Sequence, residues 1–333
     1  YLGTASVRNE ITGNTITNNL QRGLYLDGGS DTNTIRGNTI VGNVDYGLWI
    51  SSSNNNQVES NTVASGGNHG LVASNCERNA FAYNWAYDNT QAGFNLANVA
   101  NSVYFQNTAE SNAHSQFNLS GTCFNDTFQK NNILPAAAGA AAESGVFSSV
   151  LLARLSFIRN WWGTTDSARI RARIFGTGAD SIVSVPFRLG QVDTAAGADT
   201  VAPGPPTTFT GMAMSESSVN LNWAAPVSPE EPEGAMNIAG YHVWRSQIAD
   251  TSQWDLRDTV TGGAVNYTDS GLAPLTVYYY RVTTYDNAAP WPNESWYSDS
   301  TVTCTTTAPA PGANIWYVND SSLVGDSWCG AVG

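Results

Sequence analysis

An asparagine recurs at a nearly constant spacing along the N-terminal part of the chain, from Asn14 to Asn131. The third position before it and the second position after it carry an apolar or aromatic residue in every repeat. Within a repeat, inward and outward residues alternate with the strand period of two, as in Leu24-Tyr25-Leu26. Short strands joined by tight corners, in coils of roughly 23 residues, predict a β-solenoid whose coils stack about 4.8 Å apart.

The repeated asparagines are predicted to form a structural ladder along this solenoid. Asparagine tolerates the unusual backbone angles of a corner, and stacked amides hydrogen-bond from one coil to the next. We therefore expect a structural role and not a ligand site. The ladder consists of Asn14, Asn38, Asn61, Asn84, Asn107 and Asn131.

This pattern resembles the right-handed parallel β-helix family, which includes secreted polysaccharide-processing enzymes and bacterial surface proteins. The stretch from Asn160 to Asp166, followed by Val185-Pro186-Phe187, resembles the closing segment of such helices. The resemblance implies an all-β fold for residues 1–192. Because the chain opens inside a repeat, we expect this domain to be incomplete at its N-terminus.

A different pattern begins after residues 193–206, a proline-containing segment that is predicted to be a linker. Alternating strands such as Val219–Trp223 predict a β-sandwich over residues 207–308. Leu272-Ala273-Pro274 followed by Tyr278 resembles the tyrosine corner of fibronectin type III modules, and Trp223 matches their core tryptophan.

Residues 309–333 form a tail that resembles the start of a further β-helix domain. One hypothesis is a tandem array on one long polypeptide. A second is an exchanged strand, in which the tail adds to the open solenoid end near Tyr1 of a neighbouring copy. A third is that the ends are arbitrary. The strand-like residues of the tail are Ile315, Trp316, Tyr317 and Val318.

Composition excludes several classes of partner. The net charge is −13 and Lys130 is the only lysine, so no basic stripe is available for nucleic acid. No apolar run reaches the roughly 18–20 residues that span a membrane. We expect an extracellular or cell-surface protein of bacterial type, with partners among copies of itself, neighbouring repeats or glycans.

A catalytic centre is not indicated by the carboxylates and histidines. No solenoid column holds two carboxylates on adjacent coils, and the nearest pair is Asp88 and Glu110. His69 is interpreted as a solvated surface residue, and the three histidines are too dispersed for a zinc site. No cofactor or metal is predicted, although the turn Asp27–Asp31 leaves calcium as an alternative to an ordinary polar turn.

Outward-pointing aromatic residues are the strongest candidates for ligand contacts. Tyr25 and Trp49 share a phase, with Tyr46 beside them, and Trp85 and Tyr87 project from another face. Such rings stack on sugars, and packing against another domain or subunit is the alternative.

The four cysteines do not form a disulfide scaffold. Cys76 and Cys123 lie two coils apart, about 9.6 Å, which is too far for a disulfide. A disulfide between Cys304 and Cys329 is a hypothesis that suits an oxidising compartment.

These observations favour a structural or adhesive component of an extracellular layer, matrix or fibre, for which head-to-tail assembly through the tail is one of the hypotheses above. The alternative is a secreted carbohydrate-binding or polysaccharide-degrading protein, with a lyase or glycosidase activity if it is an enzyme. A carboxylate-bound calcium beside an arginine would favour the alternative, and an ion-free groove the structural role.

Overall fold

The computed structural model describes residues 1–135, 145–149, 153–164, 166–185, 187–188, 190–193, 198–199, 201–228, 237–248, 254–290 and 292–309. The solenoid contains a short helix α1, Ser167–Ala172, and one 3-10 turn, Ala179–Ser181. Its strands are β1 Glu10–Thr12, β2 Thr15–Thr17, β3 Leu24–Leu26, β4 Thr34–Arg36, β5 Thr39–Val41, β6 Leu48–Ser51, β7 Gln57–Glu59, β8 Thr62–Ala64, β9 Leu71–Glu77, β10 Ala80–Ala82, β11 Trp85–Tyr87, β12 Ala92–Ala100, β13 Val103–Phe105, β14 Thr108–Glu110, β15 Ser115–Ser120, β16 Thr127–Gln129, β17 Asn132–Leu134, β18 Val146–Ser148, β19 Leu155–Ser156, β20 Ile174–Phe175 and β21 Ile182–Val183.

These strands form three parallel sheets that run along the solenoid. The first sheet has the order β1-β4-β7-β10-β13-β16-β19-β21, the second β17-β14-β11-β8-β5-β2, and the third β20-β18-β15-β12-β9-β6-β3. Equivalent repeat positions pair directly, as Val58 does with Phe81 and Phe81 with Tyr104. The predicted stacking of like residues is therefore confirmed.

The core is a set of apolar ladders inside the three sheets. Phe81, Tyr104 and Phe128 are almost fully buried and stack at ring-centroid distances of 5.0 and 4.6 Å. Parallel stacking follows from the register, since each ring lies above the equivalent residue of the preceding coil. Aromatic pairs of this kind contribute about 0.5–1.5 kcal/mol beyond the burial of their area.

The asparagine ladder is a continuous row of amides. Each Nδ2 donates to the Oδ1 of the next ladder asparagine at 2.9–3.0 Å, from Asn14 through Asn131 and on to Asn160. A second bond from Nδ2 reaches a backbone carbonyl, as in Asn84 to Val58 at 2.7 Å. The predicted ladder is thus present and saturates the buried amides.

The corner geometry corrects one expectation. The left-handed backbone angle belongs to the residue before each ladder asparagine, including Ser60 with φ 54° and Tyr83 with φ 58°. None of the ladder asparagines has a positive φ. Its amide lies under the coil and bonds to its neighbours, so its contribution is hydrogen bonding and not tolerance of a strained corner.

The described residues of the C-terminal part form a seven-stranded antiparallel sandwich. Its sheets have the orders β22-β23-β26 and β25-β24-β27-β28. Tyr278 accepts a hydrogen bond from the backbone N–H of Ala273 at 3.0 Å, and Trp223 is buried in the core, as the resemblance implied. The strands are β22 Thr207–Ser215, β23 Ser218–Ala224, β24 Ile238–Ser246, β25 Asp255–Thr261, β26 Asn266–Ser270, β27 Val277–Asp286 and β28 Val302–Thr305.

The sandwich and the solenoid share a buried contact. Trp244 and Tyr297 belong to the same apolar core as the last coils, and the Trp244 ring meets Phe187 edge to face at 5.8 Å. Arg188, itself buried, donates to the side-chain oxygen of Asn293 at 2.9 Å. Desolvated aromatic packing together with buried polar bonds makes this a fixed joint. In the described part of the chain no helix has the length and apolar character needed to cross a bilayer.

Candidate functional site

The predicted aromatic residues lie on two different faces of the solenoid. Tyr25 and Trp49 project outward from β3 and β6 in the third sheet. Trp85 and Tyr87 project from β11 in the second sheet. The structure therefore divides them into a third-sheet cluster and a second-sheet groove.

In the third-sheet cluster the rings contact one another. Tyr25 and Trp49 stack at 4.7 Å with an interplanar angle of 28°, and Tyr46 meets Trp49 edge to face at 5.2 Å. The Arg22 guanidinium lies 4.3 Å from the centre of the Trp49 ring. Stacking along the solenoid uses ring faces for contacts within the chain, which leaves less face area for a sugar.

His69 extends this cluster and is held neutral. Its ring stacks on Tyr46 at 5.9 Å, and its Nδ1 accepts a hydrogen bond from the backbone N–H of Ala92 at 3.0 Å. Burial, together with the nearby His114, lowers the pKa of His69 to about 4 against an opposing effect of Asp45. The structure thus places His69 in a backbone contact, in contrast to the fully solvated residue that we expected.

The second-sheet groove is built around Trp85, whose side chain remains 43% exposed. The indole Nε1 donates to Oε1 of Glu110 at 2.7 Å, which fixes the ring orientation. Tyr87, two residues along the same strand, contacts the indole at a centroid distance of 4.4 Å. Strand alternation explains this pair, because residues two apart lie on the same side of a strand.

The groove encloses about 400 Å³. This volume falls within the range of ordinary small-molecule sites, about 300–1,000 Å³. Its lining combines one exposed indole with hydroxyl, carboxylate and amide groups. The side chains that line it include Thr62, Tyr83, Trp85, Thr108, Glu110 and Gln191.

The groove does not contain a pair of acidic side chains. Among the described residues that line it, Glu110 is the one carboxylate, and it accepts the bond from the Trp85 indole. Asp88, the other member of the nearest sequence pair, lies at a corner with φ 53° and does not line the groove. Glycoside hydrolysis commonly uses two carboxylates flanking the bond, whereas the described lining of the groove holds one.

Several groove residues were missed by the sequence reasoning, among them Tyr83, Gln191 and the threonines Thr62 and Thr108. Tyr83 occupies the corner position that holds glycine or serine in the earlier coils, so its bulk in that column was an available signal. Gln191 comes from the segment after the last coil, which reaches the groove only through the tertiary fold.

The remaining predicted residues are placed as follows. Oδ1 of Asp31 accepts from the backbone N–H of Asn54 at 2.6 Å, and the Tyr1 hydroxyl donates to Asp27 at 3.3 Å. No group of three or more His, Cys, Asp or Glu side chains within the described ranges is arranged to hold a metal ion. Calcium binding at this turn stays a prediction.

The assembly and disulfide hypotheses depend largely on residues beyond the described part. The Tyr1 ring lies 5.4 Å from the Tyr25 ring at an interplanar angle of 35°, whereas Ile315, Trp316, Tyr317 and Val318 lie outside the described residues. Cys304 is buried in the sandwich, and Cys329 also lies outside the described residues. Both hypotheses stay predictions.

A family model described as "Right handed beta helix region" matches residues 1–133. The N-terminal part is a right-handed β-helix. Its parallel sheets and stacked repeats agree with that match. The matched part of the β-helix includes the whole third-sheet cluster and every groove residue except Gln191.

Two relatives are similar to parts of the chain. An alpha-amylase of Niallia circulans is 33% identical over 94 residues, which is 28% of this chain and 6% of that protein. Exoglucanase B of Cellulomonas fimi is 33% identical over 92 residues, 27% of this chain and 7% of that protein. The chain therefore spans less than a tenth of the length of these relatives.

Solved structures similar to part of the chain contain fibronectin-type domains. A Fn3-like protein from Clostridium thermocellum is 26% identical, with 32% of this chain and 96% of that chain covered and a TM-score of 0.25. Domains A168–A170 of titin are 24% identical, with 32% and 34% covered and a TM-score of 0.25. The strand order and the tyrosine corner of the sandwich are those of a fibronectin type III-like fold.

Proposed function

We propose that this chain is an extracellular carbohydrate-binding protein whose β-helix holds a neutral polysaccharide in the second-sheet groove. The observation that carries the proposal is the exposed Trp85 ring, fixed by Glu110 in an open groove lined by hydroxyl groups. An exposed indole offers a flat apolar face for a sugar ring, and the surrounding polar groups bond to its hydroxyls.

The charge of the chain favours neutral glycans over acidic ones. The net charge is −13, and Glu110 lies within the groove itself. Like charges repel, so a polyanion such as a pectate would be disfavoured. The partial matches to proteins named alpha-amylase and exoglucanase support glucans as the first class to test.

A structural or adhesive role is the second candidate, and the fixed joint between β-helix and sandwich favours it. The shared core around Trp244 and the buried bond of Arg188 to Asn293 resist bending at the domain boundary. A stiff joint suits a rod or spacer. This role is compatible with glycan binding, because an adhesive rod needs a ligand.

Calorimetric titration with maltohexaose and cellohexaose tests the proposed site. Trp85→Ala is expected to weaken binding of the preferred hexaose at least tenfold by removing the stacking surface. Phe124→Ala is the matched control, since Phe124 is also 43% exposed. It is expected to bind like the wild type, and neither hexaose is expected to be cleaved.

Three results would contradict the proposal. The first is that neither hexaose binds the wild type, and the second is that Trp85→Ala binds as tightly as the wild type. The third is that Trp49→Ala loses affinity while Trp85→Ala does not. The last result would move the site to the third-sheet cluster. Release of new reducing ends would contradict a purely binding role.

A further inference from the structure

The second-sheet groove is bounded on one side by a segment of the chain itself. Outward positions along the second sheet align in register as Thr39, Thr62, Trp85, Thr108 and Asn132. Residues 190–193, which follow the last coil, lie over this row at Asn132. Their position decides how far a ligand can extend past Trp85.

Buried hydrogen bonds hold this crossing segment in place. The Val192 N–H donates to Oδ1 of Asn132 at 2.7 Å, and Nδ2 of Asn132 donates back to the Val192 carbonyl at 3.1 Å. Nε2 of Gln106 donates to the Asp193 carbonyl at 3.2 Å. Asn132, Val192 and Gln106 are each at most 2% exposed, so a ligand cannot displace the segment without breaking desolvated bonds.

The two directions along the row therefore differ. From Trp85 to the crossing at Asn132 is two coils, about 9.6 Å. In the opposite direction Thr62, Thr39 and Thr15 continue the row over three coils, about 14 Å. Thr39 and Thr15 are exposed and Thr62 is half-buried, so this side is open and bears small hydroxyl groups.

We propose that the groove accepts the end of a glycan chain and not its middle, an inference that rests on the proposed carbohydrate function. A chain that continued past Trp85 would meet residues 191–193. A terminal sugar instead presents a hydroxyl that is not used in a glycosidic bond. The Gln191 amide and the Glu110 carboxylate, both at the closed end, supply a donor and an acceptor for such a hydroxyl.

The test uses maltohexaose and cellohexaose carrying a bulky substituent at the reducing end or, separately, at the non-reducing end. We expect one of the two substitutions to weaken binding at least tenfold and the other to change it less than twofold. Equal tolerance of both substitutions, or equal loss with both, would overturn the inference while leaving the proposed function intact. No binding of the unmodified hexaoses would overturn both.

A pair of variants separates end recognition from general damage. Gln191→Ala shortens the side chain at the closed end and is expected to reduce the discrimination between the two blocked hexaoses at least threefold. Asn118→Ala removes an amide on the third sheet, where it bonds to Asn95 at 2.7 Å, and serves as the control. Unchanged discrimination in Gln191→Ala, or the same loss in Asn118→Ala, would contradict the role of the crossing segment.

Discussion

Asp126 is a buried carboxyl in a row that is otherwise built from amides and a hydroxyl. Its position in the preceding coils holds Asn56, Asn79 and Ser102. Oδ1 of Asp126 accepts from the Ser102 N–H at 2.9 Å, but Oδ2 is buried and has no hydrogen-bond partner among the described residues. An asparagine at this position would place its Nδ2 donor where the carboxylate of Asp126 has its second acceptor, Oδ2. We therefore expect Asp126→Asn to stabilise the protein at neutral pH.

The size of the stabilisation expected for Asp126→Asn follows from the pKa of the buried Asp126 carboxyl. Burial raises the pKa of Asp126 from 3.8 to about 7, against weaker opposing bonds from Ser102 and Phe124. Because the folded-state pKa lies above the unfolded one, the folded protein binds the proton more tightly. Below pH 4 the buried carboxyl causes no loss of folding stability, and this stability falls as the pH rises from 4 to 7. At 1.36 kcal/mol per pH unit the loss is at most about 4 kcal/mol above pH 7.

Urea unfolding of wild type and Asp126→Asn at pH 4 to 8 measures this difference directly. The two proteins are expected to be similar at pH 4 and to diverge by about 2–4 kcal/mol at pH 8. Glu10→Gln, which neutralises an exposed carboxylate on β1, controls for the change in net charge. A constant difference between wild type and Asp126→Asn across this range would refute the reasoning, as would a variant that is less stable at pH 8.

Three further predictions concern the ladder, the joint and the buried thiols. Asn84→Ala leaves buried amide donors without an acceptor and is expected to lower the free energy of unfolding in urea by about 3 kcal/mol. The exposed Asn14→Ala is expected to lower it by under about 1 kcal/mol, and equal losses would contradict the ladder's role. Trp244→Ala is expected to split calorimetric unfolding into separate β-helix and sandwich transitions, and an unchanged profile would exclude a shared core. Burial raises the pKa of Cys76 to about 12 and also raises that of Cys123. Both thiols are therefore expected to resist a thiol reagent at pH 8 until urea is added. Fast labelling of either thiol in the native protein would contradict this expectation.

Some site residues could be predicted from the sequence and others could not. Trp85 and Tyr87 were found by phase, because strand alternation fixes which side chains leave the coil. Phase alone does not tell whether an outward ring lies open or stacked. Tyr25 and Trp49 come together across successive coils at 4.7 Å, whereas the Trp85 ring contacts Tyr87 of its own strand at 4.4 Å and stays 43% exposed. The rings of Tyr25 and Trp49 belong to different coils and are close only after the coils have stacked.

The repeat by itself determined the β-helix: a nearly constant period with fixed apolar phases has a low-energy arrangement only when equivalent residues lie over one another. Alternating strands and the Tyr278 corner determined the sandwich in the same local way. The tertiary structure decided the closed end of the groove, where Val192 meets Asn132 from a distant part of the chain. It also decided the joint at Trp244. Neither contact repeats, so no periodic signal encodes it, and each depends on the packing of segments far apart in the chain.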